Sequence, residues 1–140
     1  MVETGTGVLP AYTETLPRRP ESASDARRLL RLALNVWGMD GVRDAAEMVL
    51  SELVTNAVVH ARRDSVRVTV TRLGEARVRV AVVDLSREHP RPRTPGVNDE
   101  GGRGLEIVEA LSHGRWGVDP KRWGKQVWAD LDASDGDFGE

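Results

Sequence analysis

The chain has no cysteine among its 140 residues. That excludes disulfides, thiolate metal sites and a cysteine nucleophile, and it is compatible with a reducing compartment. Lysine is almost as scarce: only two of the 20 basic residues are lysines, which leaves 18 arginines, a bias expected of a GC-rich source and no pointer to function. A basic excess is missing too, since 20 basic residues face 22 acidic ones for a net charge of -2. Without the positive field that non-specific nucleic-acid binding relies on, no direct nucleic-acid partner is expected. Long apolar runs are also absent. The longest apolar stretch free of Asp, Glu, Lys and Arg is Leu53 to Ala61, too short to span a bilayer, so no membrane partner is expected. The N-terminus lacks a basic-then-apolar leader, and a cytoplasmic location is the expectation. At 15.4 kDa the chain has the length of one domain, able to bury roughly two thirds of its unfolded surface in a hydrophobic core.

Residues 1–21 are rich in Gly, Thr and Pro, and within them Val8 to Leu16 suits a short strand joining a sheet edge. Ser22 with Asp25 resembles a capping box, after which Ala26, Leu29, Leu30, Ala33 and Trp37 recur at helical spacing until Gly38. This predicts a helix over 23–37. Asp40 suits the cap of a second helix, in which Val42, Ala45, Ala46, Val49, Leu50, Leu53, Ala57 and Ala61 continue an apolar stripe. The period then becomes two, with Val66, Val68 and Val70 answered by Val78, Val80 and Val82 across Gly74-Glu75, as in an antiparallel hairpin. Residues 85–101 carry three prolines and no periodicity, and read as a long loop. A third helix is predicted over 103–112. Arg115 to Val118 and Lys125 to Leu131 read as a second hairpin turning at Asp119-Pro120, followed by an acidic tail over 133–140. The order of elements predicts an α+β fold, a largely antiparallel sheet with helices on one face.

On a helical wheel with Glu52 at zero, Asn56 falls near 40° and His60 near 80°. The apolar arc from Ala45 through Val49 and Leu53 to Ala57 spans about 20° to 140°, so Glu52 marks its edge while Asn56 and His60 fall inside it. A buried polar group without a partner costs about 1–3 kcal/mol, so these side chains need partners. For His60 that partner is either neighbouring backbone or a ligand. Glu52 and Asn56, one turn apart and pointing the same way, can share a ligand or a metal. The third helix opens on Gly101-Gly102-Arg103-Gly104, where glycines allow close approach and a helix N-terminus attracts phosphate, although such a run is also a common turn. Asp84 closes the strand Val80-Ala81-Val82-Val83, where its carboxylate either accepts a hydrogen bond from a base amino group or caps a turn with Ser86.

In order along the chain stand Glu52-Leu53-Val54-Thr55-Asn56-Ala57-Val58-Val59-His60, Val83-Asp84-Leu85-Ser86, a proline-rich stretch, Gly102-Arg103-Gly104-Leu105 and Lys125-Gln126-Val127-Trp128. Together they resemble the GHKL ATPase superfamily, and within it the small anti-sigma-factor serine kinases of actinobacterial type, over about residues 10–132. The resemblance implies a two-layer Bergerat sandwich over 22–132 with residues 87–101 as its ATP lid. It implies ATP and Mg2+ as cofactors, with Asn56 holding the magnesium and Glu52 acting as base for the attacking hydroxyl. Asp84, with Ser86 beside it, matches the aspartate that binds the adenine amino group. Gly102, Arg103, Gly104 and Leu105 match the glycine box that contacts phosphate. The implied activity is phosphorylation of a serine or threonine of a partner, an anti-sigma antagonist protein, with a sigma factor as a further partner and a homodimer open. The implied alternative is a nucleotide-gated binding protein with little catalysis. This chain departs from the superfamily in its first glycine box, which reads Asp84-Leu85-Ser86-Arg87-Glu88 in place of Asp-x-Gly-x-Gly. Gly124-Lys125-Gln126 lacks the upstream glycine and the hydroxyl residue of a P-loop, and Asp137-Phe138-Gly139 lies in the tail.

Overall fold

A computed structural model describes residues 2–5, 8–60, 64–84, 102–122 and 124–133. In chain order the elements are β1 (Val2–Gly5), β2 (Val8–Pro17), α1 (Ser22–Trp37), a 3₁₀ turn (Asp40–Val42), α2 (Arg43–His60), β3 (Ser65–Arg72), β4 (Arg77–Asp84), α3 (Gly102–Ser112), β5 (Trp116–Lys121) and β6 (Gly124–Asp132). The alternating valines form the predicted hairpin, and it lies at the centre of a six-stranded antiparallel sheet in the order β1-β2-β3-β4-β6-β5. Val66, Val68, Val70, Val78, Val80 and Val82 turn to one face and are buried there with Val127, Ala129 and Leu131. All three helices cover that face: α1 packs on β2 and β3, α2 on β4 and β6, and α3 on β6 and β5. The fold is the expected α+β sandwich.

The opposite face of the sheet stays polar, as an antiparallel sheet permits when only one side is covered. There Arg79 donates to both carboxylate oxygens of Asp130 at 2.7 and 3.1 Å, and its guanidinium lies 4.2 Å from the centroid of the Trp128 ring. The two long helices are clasped along their outer edge. Arg27 donates to Ser51 at 2.9 Å, and Arg31 and Arg43 both donate to Glu47 at 2.9 Å. Burial alone would raise the Glu47 carboxyl, but the hydrogen bonds and charges of Arg43 and Arg31 outweigh it and hold the group below the usual carboxylate range. The clasp therefore stands at neutral pH and is lost as acid protonates Glu47 below that range.

Four local expectations are corrected. Ser22 does not cap α1; its hydroxyl donates to the Pro17 carbonyl at 2.6 Å and ties the helix start to the end of β2. Asp40 opens the 3₁₀ turn that precedes α2 and does not cap that helix. The expected strand is present as Val8–Pro17, but it lies one position inside the sheet edge, with β1 outside it. Asp119 and Pro120 are strand residues opposite Gln126 and Lys125, and the chain turns between Lys121 and Gly124. A proline is tolerated there because β5 is an edge strand. Ser86, the stretch 87–101 read as a lid, and the tail beyond Ala133 lie outside the described residues.

Leu50 of α2 is fully buried in the hydrophobic core. Leu50→Ala removes a side chain the surroundings cannot replace and is expected to lower stability by about 2–5 kcal/mol, read from chemical denaturation.

Candidate functional site

The polar stripe of α2 opens onto a cavity of about 290 Å³ between α2 and the start of α3. Glu52, Thr55, Asn56, Val59 and His60 form one wall, and Gly104, Leu105 and Val108 form the other. The fully buried arc of α2 is carried by Ala46, Val49, Leu50, Leu53 and Val54. It is turned by some tens of degrees from the arc predicted by the wheel. Asn56 falls just outside that arc and His60, the last residue of α2, within its angular range, and both are half-buried at the cavity wall and not in the core. The physical reason is α3, which packs beside α2 and leaves the cavity where a second helix face would otherwise close.

Glu52 and Gly104 are in close approach. A Cβ built at Gly104 would fall 2.6 Å from Glu52 Oε1, so the carboxylate rests against the first turn of α3 only because that position is glycine. The positive end of a helix favours a negative group there. Gly102 and Arg103 belong to the same first turn, but their side-chain surroundings lie outside the described residues, as does Ser86.

A narrower cleft, about 10 Å³, adjoins this cavity and shares Asn56 and His60 with it. Leu53, Ala57, Val82, Asp84, Lys125 and Val127 complete its lining. Asp84 is 9% exposed, and its Oδ1 is shielded from solvent. Glu52, Asn56, Gly104 and Leu105 thus surround one cavity, and Asp84 joins them through the shared wall of the cleft. Among the described residues no group of three His, Asp or Glu converges on a metal position. An oxygen donor such as the Asn56 amide suits a hard cation that keeps several waters and is held mainly by its ligand's phosphates.

In the sequence His60 has either backbone or a ligand as partner, and Lys125 stands in the last strand of the resemblance without a role. The structure brings both His60 and Lys125 to the cleft. Gly124 explains how: a Cβ on it would collide with the backbone carbonyl oxygen of Asp84, so the start of β6 can lie against the end of β4 only with glycine there. A glycine opening a strand is the available signal of such backbone approach. Gly124→Ala is expected to lower stability by about 1–3 kcal/mol, because the opposing atom is backbone and cannot swing aside. Urea denaturation monitored by circular dichroism measures it; an unchanged midpoint would show that β6 shifts freely.

A family model for the histidine kinase-like ATPase domain matches residues 16–128, from the end of β2 to within β6. A search of the curated proteins finds no match to this chain.

Proposed function

The chain belongs to the histidine kinase-like ATPase domain family, an ATP-binding family, and we propose that it uses Mg-ATP to phosphorylate a serine or threonine of a partner protein. In the bacterial switch its sequence resembles, that partner is an anti-sigma antagonist, with a sigma factor as the second protein bound. The observation that carries this reading is the Glu52 carboxylate at the rim of the cavity against Gly104, one helical turn from Asn56.

Asp84 would hold ATP through its adenine amino group, and Gly102 and Gly104 at the start of α3 would hold the phosphates, since backbone N–H groups and the helix dipole favour negative charge there. Asn56 would hold the magnesium ion through its amide oxygen; when bound, the ion supplies neutralisation of phosphate charge. Glu52 orients the attacking hydroxyl of the partner and takes its proton. As the new oxygen–phosphorus bond forms, the bond from the γ-phosphorus to the bridging oxygen breaks, and ADP leaves with that oxygen. Such transfer is mostly positioning and electrostatics, so few side chains suffice.

The test is to capture proteins from the native lysate on the purified chain with ATP and magnesium, and to follow label from γ-labelled ATP. Label on a serine or threonine of a captured protein supports the kinase reading. Nucleotide-dependent capture without any transfer replaces it with a gated binding protein.

A further inference from the structure

The antiparallel register that pairs Arg77 with Asp132 and Val83 with Gln126 sets Lys125 opposite Asp84 at its next step. Directly opposed residues in such a pair send their side chains to the same face, with Cβ atoms about 4.5–5.5 Å apart. Both side chains line the same narrow cleft, and both stand at its strand end. The collision that a Cβ at Gly124 would cause with the Asp84 carbonyl shows how closely this end of β6 is held to β4. Lys125 is half-buried, and it is one of only two lysines in a chain with 18 arginines. Its ammonium donates hydrogen bonds and accepts none, while the Asp84 carboxylate, when ionised, only accepts them.

An acceptor and a donor side by side match the Watson–Crick edge of adenine. That edge presents the N6 amino donor next to the N1 acceptor. Guanine in the same orientation reverses the pattern, with O6 toward the carboxylate and the N1 proton toward the ammonium. Two repulsive contacts then replace two attractive ones. We infer that Lys125 is a base-reading residue that donates to adenine N1 while Asp84 accepts from the N6 amino group, so that the two together select ATP over GTP. The inference rests on the ATP reading above and adds to it a residue on a different strand from Asp84.

The test compares ATP, GTP and 1-deaza-ATP, in which a C–H replaces N1, by calorimetry with magnesium on the full chain. A hydrogen bond from a charged donor corresponds to about tenfold or more in affinity. Wild-type protein is therefore expected to bind 1-deaza-ATP at least about tenfold more weakly than ATP. Lys125→Met should bind the two alike and should discriminate less against GTP. Lys125→Gln keeps an N–H donor and should retain part of the ATP preference, and it carries the test if the Met variant does not fold. If Lys125→Met loses the same factor for ATP and for 1-deaza-ATP, the ammonium acts on the phosphates or only as a charge partner of Asp84, and the inference is overturned. Wild-type protein that binds no adenine nucleotide would overturn the ATP reading itself, a result distinct from equal losses.

Discussion

Glu52→Gln is expected to leave ATP affinity within a few-fold of wild type while phosphorylation of the captured partner falls by about 10²- to 10⁴-fold, the range a positioned general base supplies. The substitution keeps length, shape and hydrogen-bonding capacity. It removes only the negative charge and the basicity. Glu52 is half-buried at the cavity wall, and its Oε1 occupies the space that a Gly104 side chain would fill. The amide fits that space equally well, so stability should fall by only about 0.3–1 kcal/mol, the worth of the lost charge at the start of α3. Single-turnover transfer from labelled ATP, set beside calorimetric ATP binding, separates the two effects. A variant that transfers phosphate as fast as wild type would show that the hydroxyl is activated elsewhere and would reduce Glu52 to a helix-end anion. Equal failure of wild type and variant, with capture still dependent on nucleotide, would leave a binding protein.

The parts of this arrangement that could be read from the sequence are those in which local pattern and tertiary environment agree. The valine alternation over 66–82 encodes a half-buried hairpin whichever strands flank it, and the four-residue spacing of Glu52, Asn56 and His60 keeps them on one side of α2 in any packing. The glycine run that opens α3 likewise indicates a helix start where another group comes close, and that group includes the Glu52 carboxylate. What could not be read depends on partners distant in sequence. The true buried arc of α2 follows from α1, the sheet and α3 packing around it, and the spacing within α2 alone does not fix where that arc ends. Asp119-Pro120 has turn chemistry, yet pairing with Lys125 and Gln126 at a sheet edge overrides it, because an edge strand can leave a backbone donor missing. Lys125 was invisible as a neighbour of Asp84 for the same reason. Some forty residues separate them, and only the β4–β6 register brings them together.

Asn56→Ala should remove the magnesium dependence of ATP binding. Asn56 lines both the cavity beside Gly104 and the cleft beside Asp84, so in the proposed reading its amide would stand between the phosphates and the base. An amide oxygen is a neutral hard ligand, suited to Mg2+ that retains waters and is held chiefly through phosphate oxygens. Alanine removes that oxygen without harming the helix, since it has the highest helix propensity and the side chain lost is only half-buried. Even outer-shell partners of a metal contribute about 10- to 100-fold to affinity, so a direct ligand should contribute at least as much. Wild-type protein should thus bind ATP far more tightly with magnesium than with a chelator, whereas the variant should bind equally weakly in both. Calorimetry under the two conditions decides between roles. If the variant keeps the full magnesium effect, with affinity unchanged or lowered by one factor in both conditions, its amide serves the nucleotide or the shape of the cavity and not the ion.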